Sequence, residues 1–267
     1  MTKPPMVQSV TRAIRLLQAL EQGPRSLSRL VDDTGLSKAT AHRLLASLSF
    51  GQLVIQDPVS GEYLLGPGCF GIGDAVIRGY GGLNVLSTPV LERLRQETGE
   101  TVALHLRIGV QRVCVAQLPS PQAVRYVARL GAAQPLYLGA MGKVILAFSD
   151  GDVQREILDR TTLKQVTERT VTDRAALERQ LVEIRLAGFA ISRGENVAGA
   201  ASISVPVVGT DSVIASLSII GPEARMGDAR MEELLPLLRE GAEEIRRLVA
   251  RNEVPVETGQ SLVEGDD

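Results

Sequence analysis

The chain has 267 residues, 44% of them apolar, and a formal charge of −2. That is enough for two cores of ordinary size and too apolar for a disordered protein. With aromatics at 3% and no Trp, the cores must be aliphatic, and two cysteines, Cys69 and Cys114, exclude a disulfide framework or a Cys-rich metal site. No apolar run reaches membrane-spanning length and no secretory segment follows the opening residues, so the sequence points to a cytoplasmic protein with no membrane partner.

In chain order, residues 9–21 (SVTRAIRLLQALE) put Val10, Ile14, Leu17 and Leu20 at helical spacing, and Gly23-Pro24 ends that helix. Ser26 is placed to cap a short helix, LSRLVDDT, which Gly35 breaks. Ser37 caps a third helix, KATAHRLLASLS, which Gly51 stops. LVIQD and EYLLG then read as two strands around Pro58-Val59-Ser60-Gly61. Helix, helix, a short Gly-containing turn, helix and hairpin is the order of a winged helix-turn-helix, here over residues 1–65. Those residues carry a net +2, which leaves −4 on the other 202. A mildly basic head on an acidic body fits a DNA-contacting module beside a domain of another kind.

Residues 66–85 are Gly-rich and read as a connector, helical around CFGIGDAVIRG. Thr88-Pro89 is a good helix start and Gly99 a good stop. TVALHLRI alternates cleanly, with Val102, Leu104, Leu106 and Ile108 on one face of a strand; RVCVAQL and AVRYVARL follow as two more. Helices are expected near 138–149, 152–159 and 173–187. The strands FAISR, ASISVPVV and SVIASLSII return after them, with a turn at Gly209-Thr210-Asp211, and a long helix closes at 228–250. Consecutive strands rather than strand-helix repeats predict an antiparallel sheet in an α+β domain over residues 86–251. The acidic tail 252–267 reads as disordered.

On the third helix, Ala41, Leu44, Leu45 and Leu48 form the core side. Ala39, His42, Arg43, Ala46 and Ser47 lie opposite, flanked by Lys38 and Thr40. Arg43 suits a bidentate guanine contact, and Ser37, Lys38 and Thr40 suit phosphates beside the helix N-terminus. His42 reads equally as a base contact or a surface residue. Arg12 on the first helix and Ser60 at the hairpin tip are further candidates for the DNA backbone. A lone amphipathic helix would be read as a solvated face; the Gly turn before it and the wing after it favour DNA.

These segments, SVTRAIRLLQAL, GLSKATAHRLLASL and GQLVIQDPVSGEYLLGPG, together with PVLERLRQETGETV, PLYLGAMGKVILAF, GFAISRGENVAGAASISVPV and SLSIIGP, resemble the IclR family of transcriptional regulators in order and spacing across about 8–250. The resemblance implies a DNA-binding regulator, more often a repressor, that binds palindromic double-stranded operator DNA as a homodimer or homotetramer. It implies a GAF-like (profilin-like) antiparallel-sheet domain in which a small molecule, often an organic or aromatic acid, controls DNA affinity, with no cofactor and no metal. By position it places Leu138, Gly139, Ala140, Met141 and Gly142 on an anion-facing rim and Tyr126 on a pocket-lining strand. Ser192, Glu195, Ala200 and Ser202 fall on a second wall, and Ser218 and Ile220 on a third. Ala, Ile or Ser at positions that are polar in other members, with a bulky Met141, favour an effector less polar than a short keto acid.

Other chemistries fare worse. Gly139-Ala140-Met141-Gly142-Lys143 lacks the early Gly and the Ser or Thr of a phosphate loop, so Lys143 reads as structural or near the pocket mouth. His105 and His42 are far apart and make no metal cluster. The serines of ASISV and SLSII alternate along strands and fit no nucleophile elbow; they line one face of the sheet. Arg193-Gly194-Glu195-Asn196 is a binding loop or a turn. The alternative function, a small-molecule-binding enzyme or sensor with an accessory helix-turn-helix, needs acid/base groups. The expected pocket offers one carboxylate, Glu195, and no His.

Overall fold

In the computed structural model, which describes residues 6–80, 82–209 and 212–252, the chain divides between Gly79 and Tyr80 into two units. The first holds α1 (Gln8–Leu20), α2 (Leu27–Thr34), α3 (Lys38–Phe50), β1 (Val54–Gln56), β2 (Tyr63–Leu65) and α4 (Gly68–Gly79). Its boundaries follow capping chemistry. The Ser26 and Ser37 hydroxyls accept from the Arg29 and Thr40 amides, each at 3.3 Å, and Gly35 takes the left-handed conformation that ends α2. β1 and β2 pair antiparallel, and Tyr63 also exchanges backbone bonds with Arg25, which ties the hairpin to the start of α2.

Leu16, Leu20, Leu30, Leu45, Val54 and Tyr63 form the core of this unit. Only part of the expected α1 stripe is in it. Ala13, Leu16, Leu17 and Leu20 face inward, while Val10 and Ile14 stay 55% and 47% exposed. α2, α3 and β2 cover one stripe of α1, and the overlapping stripe through Val10 and Ile14 is left over. α4 buries none of its side chains, and Phe70, Ile72 and Val76 are all exposed.

The second unit opens on α5 (Leu83–Thr98), followed by β3 (Thr101–Ile108), β4 (Gln111–Leu118), β5 (Ala133–Pro135), α6 (Gly139–Phe148), α7 (Gly151–Arg160) and α8 (Arg174–Ala187). β6 (Ala190–Arg193), β7 (Ala200–Val208), β8 (Val213–Pro222) and α9 (Asp228–Arg251) complete it. The six strands form one antiparallel sheet in the order β5-β4-β3-β8-β7-β6. Pro89 does not start α5 as the sequence predicted but lies inside it, where the Ser87 and Thr88 hydroxyls bond the Asn84 carbonyl.

AVRYVARL, expected to be a strand, is irregular. Side chains take the place of its ladder. The Gln117 amide bonds both the N–H and the carbonyl of Ala128, at 2.7 and 3.0 Å, and the Thr101 hydroxyl donates to the Tyr126 carbonyl at 2.7 Å. Tyr126 is thus on a loop. Thr210 and Asp211 of the expected turn, and the acidic tail beyond Asn252, lie outside the described residues.

The two faces of the sheet differ in chemistry. Val102, Leu104, Leu217, Ile219, Ile203 and Val205 pack with α5 and α9 into the main core. The other face carries His105, Cys114 and a set of serines, all buried, and α6 lies across it on β6, β7 and β8. A bulge at Leu104–His105 shifts the β3–β4 register there, so that His105 pairs with Cys114 and, on its other side, with Ser216.

Candidate functional site

The first candidate surface is α3. Ala41, Leu45 and Leu48 anchor it to the core, while Ser37, Lys38, Ala39, His42, Arg43 and Ser47 are exposed and Thr40 is half-buried. The Ser37 hydroxyl also donates to Thr40 Oγ1 at 2.9 Å, and Ser47 donates to the Arg43 carbonyl at 3.2 Å. Arg25 and Arg29 of the same unit are both paired with Asp33. Among the described residues, Lys38 and Arg43 meet no acidic side chain, and neither does Arg12. Their charges remain available to a polyanion. At the hairpin tip Asp57 accepts from the Val59 and Ser60 amides at 2.7 and 3.2 Å, and these bonds hold its carboxyl below the ordinary aspartate range. Ser60 is exposed there beside Val59, which is 95% exposed.

The second is a pocket between the polar sheet face and the start of α6. Gly139 has φ +73°, which only glycine adopts without strain. A side chain on Gly142 would come within 2.3 Å of the Leu136 carbonyl, so α6 can begin here only with glycine at that position. Of the residues expected at the site, Tyr126, Gly139, Met141, Ser192, Glu195, Ala200, Ser202 and Ile220 line one cavity. Asn196, expected only as part of a segment that is either a binding loop or a turn, joins them, and so do Val197 and Ala201, which were not foreseen. The space inside this half-open cavity is about 20 Å³, room for roughly one water.

Four expected residues are not in the wall. Leu138 caps α6 and packs in a second core with Leu136 and Tyr137. Ala140 packs against Val144 and Ala190, and Gly142 is pressed on the Leu136 backbone. Ser218 lies deeper, its hydroxyl 2.8 Å from that of Ser204. A larger cavity of about 210 Å³ opens elsewhere between β7 and α9, where Arg246 is already bound by Glu243.

Charge is distributed unevenly around the pocket. Lys143, almost fully buried, stands 2.5 Å from Glu195 Oε2, short of hydrogen-bond alignment, and donates to Gln180 at 2.8 Å. The Glu195 carbonyl accepts from Thr170 at 2.8 Å. Beyond the wall lie groups that the sequence reading did not assemble. Arg112 is 3% exposed, with Nη2 donating to Gln134 Oε1 at 2.7 Å; the same oxygen accepts from the pocket residue Asn196 at 2.8 Å. Burial, reinforced by Arg112, holds the His105 imidazole well below its ordinary pKa. Burial also pushes the Cys114 thiol up to about 11 and raises Tyr126. The one sequence signal for this cluster was His105 on the polar side of an otherwise apolar strand.

Among the described residues no group of three or more His, Cys, Asp or Glu could hold a metal, and no helix is long and apolar enough to cross a membrane. Residues 82–247 match the family described as bacterial transcriptional regulator IclR, C-terminal, and residues 9–58 match the IclR helix-turn-helix domain. The chain is 34% identical to the HTH-type transcriptional repressor AllR of Klebsiella pneumoniae over 241 residues, 89% of this chain and 88% of that one. It is 32% identical to AllR of Escherichia coli K12, over 89% of each. Among solved structures, the Thermotoga maritima IclR superimposes with a TM-score of 0.75 at 29% identity, covering 90% of this chain and 97% of that one. An IclR homologue from Microbacterium hydrocarbonoxydans complexed with 4-hydroxybenzoate gives 0.70 at 25% identity, covering 91% and 100%. An exposed helix in one unit whose cations meet no acid among the described residues, a polar pocket in the other and these matches lead to one conclusion: the chain belongs to the IclR family, DNA-binding transcriptional regulators under small-molecule control.

Proposed function

We propose that the chain is a repressor whose α3 reads a palindromic operator and whose pocket under α6 takes an organic acid that changes operator affinity. The observation that carries the DNA half is the unpaired basic face of α3, with Arg43 at its centre. The pocket half rests on eight residues converging on one cavity, with Tyr126, Met141 and Ile220 as its less polar walls and Ser192 and Ser202 as hydrogen-bonding groups. The Microbacterium hydrocarbonoxydans homologue's 4-hydroxybenzoate supports an aromatic acid as first candidate.

We read the pocket as a site of binding rather than turnover, because its one carboxylate, Glu195, is already engaged by Lys143. A homodimer or homotetramer is supported by the exposed apolar stripes of α1 (Val10, Ile14) and α4 (Phe70, Ile72, Val76). The functional boundaries we assign are a DNA-binding head at 1–65, a linker at 66–85 and an effector domain at 86–251.

The test is footprinting of the full chain on DNA flanking its own gene, with and without 4-hydroxybenzoate. A protected near-palindrome whose affinity falls steeply with salt is the expected result. Absence of any protected sequence at low salt overturns the DNA reading, and protection indifferent to every organic acid tried overturns the pocket reading.

A further inference from the structure

Arg112 is the largest unsettled charge in the effector unit. Its guanidinium is out of water, yet among the described residues no carboxylate approaches it, and its only hydrogen bond goes to the neutral amide of Gln134. Its Nε makes no bond at all. The groups that share its side of the sheet are of little help. Its register partner across the β3–β4 pair is another cation, Arg107; His105, which pairs with Cys114, is neutral and leaves Nδ1 without a partner, and Cys114, two residues along β4, is a protonated thiol. A buried cation in such company needs a counter-charge. The pocket's own acid does not provide it, since Glu195 is neutralised by Lys143.

The connection to the pocket is one side chain long. Gln134 sits beside Arg112 in the β4–β5 register, and its amide oxygen is shared between Arg112 and Asn196 of the pocket wall. Tyr126, a wall residue close enough to Arg112 to interact with its charge, is on a loop rather than a strand, so it can move without breaking the sheet. The cavity as it stands holds about one water. Any larger ligand must displace a side chain, and Gln134, bonded both to Asn196 of the wall and to the guanidinium, joins the cavity to Arg112.

We propose that Arg112 is the specificity-determining residue of the effector pocket: it takes the carboxylate of an anionic effector, which displaces the Gln134 amide and so releases Asn196. A carboxylate offers the fork two parallel acceptors where Gln134 offers one, which makes the exchange favourable and selects acids over their neutral amides. Loss of the Gln134–Asn196 bond loosens the loop after β6, so the anion is sensed by the segment that also carries Glu195. This inference rests on the reading of the cavity as the effector site.

The experiment is a thermal-shift titration of the full chain with benzoate and acetate, and with benzamide as the neutral match. Wild type is expected to be stabilised by benzoate, weakly by acetate and not by benzamide. Arg112→Met is expected to lose at least about tenfold in apparent benzoate affinity, as loss of a charge-assisted pair implies, without lowering the melting temperature of the unliganded protein. Arg112→Lys, which keeps the charge and loses the fork, falls between the two. Benzoate stabilisation undiminished in Arg112→Met overturns the role of Arg112 and leaves the pocket standing. Stabilisation that survives filling the cavity, by Ser202→Phe or, if that variant does not fold, by Ala200→Leu, places the anion elsewhere and overturns the pocket reading itself. A wild type indifferent to both acids, or an Arg112→Met chain that cannot fold, overturns the proposal.

Discussion

The two polar surfaces of this chain are built on opposite terms. On α3 the polar groups stand in water with few protein partners: Lys38, His42 and Arg43 are exposed and meet no acid among the described residues. On the sheet face under α6 they are withdrawn from water: Ser204 and Ser218 bond each other, while His105 Nδ1 and Ser216 Oγ meet no hydrogen-bond partner among the described residues. The difference follows from what each must recognise. DNA brings its own dense charge and needs cations that are free to meet it. A small ligand must be singled out from many, which takes a dry site where each unsatisfied group carries weight.

The largest test of this contrast removes a charge from each surface. Lys143→Met leaves Glu195 without its partner in a buried site and is expected to cost about 3–5 kcal/mol of stability. Combining it with Glu195→Leu should recover most of the loss, because the uncompensated charge goes as well. Urea unfolding of both variants measures it; a single variant as stable as wild type would show that the pair is solvated and that the two surfaces are less different than drawn.

Arg43→Ala is the counterpart on α3. It should leave the melting temperature unchanged and cost about 1–3 kcal/mol in discrimination between operator and altered sites. Lys38→Ala is expected to weaken binding to all sequences alike and to flatten the salt dependence. Titrations on matched and mutated operators at two salt concentrations separate base reading from phosphate holding. Equal losses on every sequence for Arg43→Ala would remove it from the base contacts.

The same contrast explains what the sequence made legible. α3 is a local object: Ser37, the Gly35 turn and a stripe of Ala41, Leu45 and Leu48 define it within a few residues, and its exposed face is what remains. The antiparallel sheet was legible from alternation, and so were the strands that carry Ser192, Ser202 and Ile220. The loop holding Tyr126 was not. It has a strand's composition, but the side chains of Gln117 and Thr101 replace its ladder, a bond pattern without periodicity. The Arg112 arrangement was hidden for a related reason: its partners come from β5 and the loop after β6, brought together only by register and by a bulge at Leu104–His105. On α1 the spacing pointed to Val10, Ile14, Leu17 and Leu20, and only packing decides that Leu16 is inside and Val10 outside.

The smallest effect, and the most specific to the interior, concerns His105. Its imidazole is buried beside Arg112, and both burial and that neighbour disfavour the imidazolium, so its pKa in the folded chain lies well below 6.5. In the unfolded chain it titrates near the ordinary value. Below that value the unfolded state therefore binds a proton that the folded state refuses, and stability falls as pH drops from about 6.5, by at most about 1.4 kcal/mol per pH unit. Carboxylates titrate mostly below pH 5, which leaves the window between 5 and 6.5 to the histidines. His42, the only other one, is exposed on α3. Urea unfolding at pH 7.5 and 5.5 should show this loss in wild type and in His42→Gln, and a flatter profile in His105→Gln. If His105→Gln keeps the full slope, the imidazole is reached by water or by a counter-charge, and the face under α6 is not the dry site that distinguishes it from α3.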